Sequence, residues 1–327
     1  RNVPPPAPLL NAIDRMMPML RFFRHGDGNF ALFNGMGPTS PDLLATVLAY
    51  DDARGAPIAN SPHSGYQRMQ AGDMLVIMDT GGPPPLNVSQ EAHAGCLSFE
   101  LSSRQHRIVV NCGLPAINKE TWRQVARATA AHSTMVYNDA SSCRFMTGGR
   151  IRRFLGTPIV SGPSEVKITR QDRDSSVMLR ATHDGYAQAF GVLHQRALKL
   201  SAEARRLDGE DVFLPARGDS LPEGRPDRFA IRFHLHPSIK ASRLSDGHGV
   251  MLMLPNREFW TFSAFDDRVE IEESVYLAAS DGPRRTVQIV VHGQAREVRR
   301  VRWSFTHVEP GEHAAKRRSQ SEPELPL

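Results

Sequence analysis

The spacing of hydrophobic positions changes once along this chain. Between Leu9 and Phe23, LLNAIDRMMPMLRFF places apolar residues three and four apart, which predicts an amphipathic helix with Pro18 as a late kink or break. SPDLLATVLAY predicts a second helix, with Ser40 as N-cap and Pro41 at the first helical position. The Gly-rich stretch RHGDGNFALFNG separates the two. After Gly65 the period becomes two and remains two. Runs such as DMLVIMD, CLSFELSS, HRIVVNCG, RFAIRFHLHP and RTVQIVVHG read as short strands punctuated by Gly, Asp, Asn and Pro. So many strands at such spacing predict a mainly β fold, a large antiparallel multi-sheet sandwich preceded by a few helices. Asp208-Gly209 carries hairpin-turn chemistry. The segment from Glu309 on is poor in apolar residues and reads as a disordered polar tail.

Charge narrows the partner only slightly. Among 327 residues, lysine plus arginine number 40 against 35 acidic residues. The arginines are scattered over alternating strands rather than gathered in one basic stripe with aromatics between, so an anionic small molecule or polymer fits better than a nucleic acid. Cys96, Cys112 and Cys143 form no CxxC pair and no disulfide framework. No apolar run approaches the roughly 20 residues needed to span a bilayer. The opening RNVPPPAPLL resembles the interior of a longer protein, so a fragment is expected and the compartment cannot be read from this end.

Thirteen histidines are too many for all of them to be functional. His63, His106, His248, His292, His307 and His313 fall in turns or at strand ends, where solvated or hydrogen-bonded roles are ordinary. His234 and His236 lie two apart and face one side of a strand, a spacing that suits either metal or a polar groove. The sharper group is His93 in EAHAGCLSFEL, Asn111 in IVVNCG and His132 in ATAAHSTMVYND, each at the start or end of a strand. Two imidazoles and an oxygen donor suit zinc, although this spacing matches no regular zinc motif and, taken alone, favours a structural role.

In order along the chain, HAGCLSFEL, RIVVNCG, RATAAHSTMVYND, HDGY, GVLHQR and RFHLHP resemble the heparinase II/III-like family of polysaccharide lyases. The resemblance implies that residues 1–60 are the end of a helical α/α toroid, 61–308 a β-sandwich and 309–327 a polar tail, with the rest of the toroid elsewhere in the parent chain. It implies eliminative cleavage of a uronate-containing acidic polysaccharide, with this chain supplying one wall of the cleft. A periplasmic location is suggested by the resemblance alone. The family's metal site, usually zinc, falls on His93, Asn111 and His132, with asparagine where the family has aspartate. Its HxHA motif falls on Glu91-Ala92-His93-Ala94, so Glu91 stands where a histidine meets the substrate and is the candidate catalytic base. Arg127, His194 and Arg196 are candidate contacts to an acidic sugar. The catalytic tyrosine belongs to the toroid, and Tyr66 is not its equivalent. Both departures, Glu91 and Asn111, also fit an alternative: a non-catalytic acidic-glycan-binding or structural sandwich.

Overall fold

The computed structural model of the chain describes residues 5–50, 56–116, 120–146, 148, 156–203 and 205–309. Two helices come first, α1 (Ala7–Phe22) and α2 (Pro41–Ala49), and the strands follow. Pro18 does not end α1; the helix runs on to Phe22. Ser40 caps α2 as expected, its side chain accepting from the Leu43 amide at 3.4 Å.

The first sheet contains β1 (Asn60–Ser61), β2 (Tyr66–Ala71), β3 (Met74–Asp79), β4 (Phe99–Ser103), β5 (His106–Val110), β6 (Met135–Tyr137), β13 (Arg228–Leu235), β17 (Val269–Tyr276) and β18 (Arg284–Gln294). Its order is β1-β2-β3-β4-β5-β13-β18-β17, with β6 also paired to β13. A two-stranded sheet joins β7 (Arg144–Phe145) and β8 (Ile159–Ser161). The second large sheet contains β9 (Val166–Arg173), β10 (Ser176–His183), β11 (Val192–Ser201), β12 (Arg206–Pro215), β14 (Lys240–Arg243), β15 (Gly249–Met253), β16 (Phe259–Ser263) and β19 (Arg300–Val308), ordered β14-β15-β16-β19-β12-β11-β10-β9. All pairings are antiparallel, as the two-residue period predicts.

Between the sheets lies one large apolar core, in which Phe99 stacks on Trp303 at 5.5 Å and Phe233 meets Trp303 edge-on at 4.7 Å. On β10 burial alternates strictly, one face inward. On β3 every residue of MLVIMD is buried, because the outer face of the first sheet is covered too. Phe22, Ala31 and Phe33, from α1 and the loop after it, pack there on Tyr66, Leu75 and Ile77. Arg68 fixes this cover by donating to the carbonyls of Phe22 at 2.8 Å and Arg24 at 3.1 Å.

Asp208-Gly209 is not a turn. Both residues lie inside β12, where Gly209 pairs with Leu198 on one side and Trp303 on the other. A Cβ at Gly209 would stand 2.1 Å from the Trp303 ring, so the glycine makes room for an indole rather than bending the chain. The expected tail falls outside the described residues beyond Glu309. Among the described residues no helix is long and apolar enough to cross a membrane.

Candidate functional site

Three loops converge at one end of the first sheet: the approach to β4, the exit from β5, and the segment after α3 (Glu120–Arg127). They bring His93, Asn111 and His132 together. His132 Nδ1 lies 2.8 Å from the Ala128 carbonyl, an acceptor only, so Nδ1 carries the proton and Nε2 keeps its lone pair. That lone pair faces His93 Nδ1 at 3.1 Å, with the rings nearly perpendicular. Burial pushes His132 down to about 4. His93 is held well below the usual imidazole range, first by burial and then by the charges of His132, Arg127 and Arg123.

Asn111 is fully buried, and its amide has one permitted orientation. The Ser133 backbone N–H points at it from 2.9 Å, so the atom there must be the carbonyl oxygen. The other atom is therefore NH2, and among the described residues it has no partner. The two imidazole nitrogens are spaced much as two zinc ligands would be, about 3.3 Å for tetrahedral Zn–N bonds. Asn111 does not complete the set: its oxygen is engaged and its free end is a donor. Glu100, beside it, is spent as well, taking the amides of Leu32 and Asn111 on one oxygen and His25 Nε2 on the other. The donors present do not fit the family's metal. His234 and His236 do not make a metal pair either: His234 donates to the Ala130 carbonyl and meets Ser274, whereas His236 lies against Arg107 and Tyr276. Among the described residues, the one group of acidic and imidazole donors close enough for a cation is Glu270, Glu272 and His292, and there Glu272 is already paired with Arg232 at 3.0 Å.

Glu91 lies at the surface beside this cluster, 63% exposed, with its carboxylate 2.8 Å from Arg123 Nη1. The expected sugar contacts are placed quite differently. Arg127 is wholly buried; it donates to the carbonyls of Ala92, Thr157 and Ser89 and to Thr157 Oγ1, at 2.7–3.0 Å, with Phe145 under its guanidinium. It shapes the strand approach that carries Glu91 and His93 and offers nothing to a ligand. His194 and Arg196 are likewise fully buried, between the sheets. Both donate to Asp211, at 2.6 Å from His194 and at 2.8 and 3.0 Å from Arg196, and Trp303 Nε1 adds a fourth bond at 2.9 Å. Burial alone would raise the Asp211 carboxyl, but Arg196 and His194 outweigh it and hold the group below the usual carboxylate range. Arg196 Nη1 also reaches the Leu97 and Ser133 carbonyls, tying the second sheet to the loops that carry His93 and His132. These three residues brace the site from within and do not line a cleft.

Several participants were not apparent from the sequence. Asn34, at φ 44°, accepts the His93 backbone N–H at 2.8 Å and donates to the Tyr66 hydroxyl. The Asn34-Gly35 turn dipeptide was its only signal. A cavity of about 560 Å3 opens between the loop before α2 and the first sheet, lined by Thr39, Ser40, Arg107, His236, Tyr276 and Arg284 among others. Its polar members come from five separate stretches of chain.

Comparison with known proteins identifies the fold and the family. A solved heparan sulfate lyase, HepC from Pedobacter heparinus, matches with a TM-score of 0.68 at 11% identity, covering 93% of this chain and 48% of that one. A solved heparinase III matches with a TM-score of 0.67 at 11% identity, covering 94% of this chain and 50% of that one. At such identity these likenesses show the fold. "FtsZ-localized protein C" of Caulobacter vibrioides (strain NA1000 / CB15N) is 35% identical over 315 residues, 94% of this chain and 54% of that protein. The chain thus spans about half the length of the relatives it matches. The family model described as "Heparinase II/III-like, C-terminal" matches residues 53–304, and with that match the chain belongs to the heparinase II/III-like family, whose C-terminal sandwich it carries.

Proposed function

We propose that this sandwich binds an acidic glycan without cleaving it, as one wall of a longer protein of the polysaccharide lyase family. The observation that carries the reading is Glu91. Eliminative cleavage needs the uronate carboxylate neutralised, a base for the C5 proton and an acid for the departing oxygen. At the position where the family presents a histidine to the substrate, this chain presents a solvent-exposed carboxylate tied to Arg123. A negative group there repels a uronate, and this one is already held by Arg123 at 2.8 Å.

Binding has better support. The cavity beside α2 has the size of a ligand site; within it Arg107 is buried against Tyr276 and paired with Asp27 at 3.0 Å, and at its rim Arg284 is half exposed and paired with Asp281 at 2.7 Å. The half-exposed Arg284 fork at that rim is the planar donor that suits the carboxylate or sulfate of an acidic sugar. The name of the 35%-identical relative places that protein with FtsZ, and the same address is part of the proposal for this chain.

The test uses the longer parent protein with uronate-containing polysaccharides, because a lyase of this family would need the toroid's half of the cleft as well. The 4,5-unsaturated uronate product of elimination absorbs in the near ultraviolet. The expected result is no rise in absorbance, together with salt-sensitive retention on immobilised acidic glycan that Arg284→Glu weakens several-fold. The competing reading, a lyase wall with Glu91 as base, rests on family membership; a Glu91-dependent rise in absorbance would establish it and remove the proposal.

A further inference from the structure

We propose that His93 and His132 form a metal-free hydrogen-bonded pair, and that Asn111, where a carboxylate would serve as a third ligand, is what keeps a divalent cation out. The amide orientation carries the inference. Ser133 cannot move to release the Asn111 oxygen: its hydroxyl donates to the Val110 carbonyl at 2.7 Å and accepts the His234 amide at 2.9 Å, while Arg196 holds its carbonyl at 2.8 Å. Turning the Asn111 amide over would set NH2 against the Ser133 N–H, donor against donor. A carboxylate in this position would keep the Ser133 bond on one oxygen and offer the other; a carboxamide offers two hydrogens.

Among the described residues the surroundings supply no substitute. Gly95, two residues beyond His93, has no side chain, and a Cβ there would lie 2.9 Å from His132 Cδ2. Zinc takes four ligands in structural sites and three from protein in catalytic ones, and the cluster provides two. The guanidinium groups of Arg123 and Arg127 act on His93 and oppose a further positive charge. In the metal-free pair the proton order is set from one end. Ala128 fixes the proton on His132 Nδ1, so His93 Nδ1 must donate to His132 Nε2, which leaves His93 Nε2 unprotonated.

The test needs no glycan and reads independently of the binding proposal. The whole chain is equilibrated with zinc, passed through a desalting column and analysed by plasma mass spectrometry. Wild type and His292→Gln are compared, the latter to remove zinc held by Glu270, Glu272 and His292. Nitrogen-15 NMR then reports which ring nitrogens carry protons. The expected result is less than about one tenth of a zinc per His292→Gln chain, a melting temperature that chelator does not change, and both rings protonated at Nδ1. The conservative variant Asn111→Asp, which replaces the orphaned donor by an acceptor, is expected to take up about one zinc. Near-stoichiometric zinc in the Asn111 protein that survives His292→Gln, is lost in His93→Ala, and leaves with a fall in melting temperature on chelation would overturn the proposal.

Discussion

Replacing Asp211 by asparagine tests whether the polar cluster inside the sandwich is a structural brace. Oδ1 receives His194 Nε2 and Arg196 Nε; Oδ2 receives Arg196 Nη2 and Trp303 Nε1. All four partners are donors. Whichever way the new amide turns, its NH2 faces two of them, and the Arg196 guanidinium, fully buried, loses its counter-charge. Removing one partner of a buried ion pair costs about 3–5 kcal/mol. That is a large share of the roughly 5–15 kcal/mol that holds an ordinary domain folded. At about 2–3 °C per kcal/mol for a domain of this size, Asp211→Asn should melt about 6–15 °C below the parent. Circular dichroism on heating and urea titration would measure it, with the urea slope checked to be unchanged. A variant melting within about 2 °C of the parent would refute the reasoning, because it would mean that Arg196 finds other acceptors or reaches water. A double-mutant cycle with Arg196→Met should return a coupling of at least about 2 kcal/mol between the two positions.

Acid should destabilise the domain through its buried histidines. His234 is 3% exposed and burial pushes it down to about 3, so its contribution is present above the unfolded value near 6.5 and is lost as pH falls towards 3. At about 1.4 kcal/mol per unit, this one group costs roughly 2–3 kcal/mol by pH 4.5, and His183 and His194 act in the same direction. Asp79 opposes them: burial raises it to about 7, so its penalty applies at high pH and is relieved as pH falls towards 3.8. The histidines outnumber it, and urea midpoints should fall steadily between pH 6.5 and 4.5; a flat profile would mean that the imidazoles reach solvent. Gly209→Ala should lower stability by more than about 2 kcal/mol, since the new methyl group meets the Trp303 ring inside the core, and tryptophan fluorescence during unfolding would show it. An unchanged midpoint would show that the indole has room to move.

The sequence by itself determined the architecture. A side-chain period of two, recurring in short runs between Tyr66 and Val308 and broken by α3 and shorter helical turns, leaves stacked antiparallel sheets as the way to bury one face of each strand, and the structure has two such large sheets. The resemblance of the motifs around His93 and His132, in their order along the chain, to one family implied that the two belong together, although their spacing alone did not. The sequence did not determine which polar residues face a ligand. Arg127, His194 and Arg196 carry the chemistry of sugar recognition, yet carbonyls from distant loops and the Asp211 carboxylate enclose them, and a charged side chain is buried when the fold supplies enough partners. Asp208-Gly209 has the composition of a turn, but Trp303, nearly a hundred residues away, needs the space that a missing Cβ leaves. The tertiary structure also decided the state of Asn111, since one backbone N–H from Ser133 selects which end of its amide is left without a partner among the described residues. In each case the deciding partner lies far off in sequence, so a local pattern carries the residue's chemistry while only the fold assigns it a neighbour.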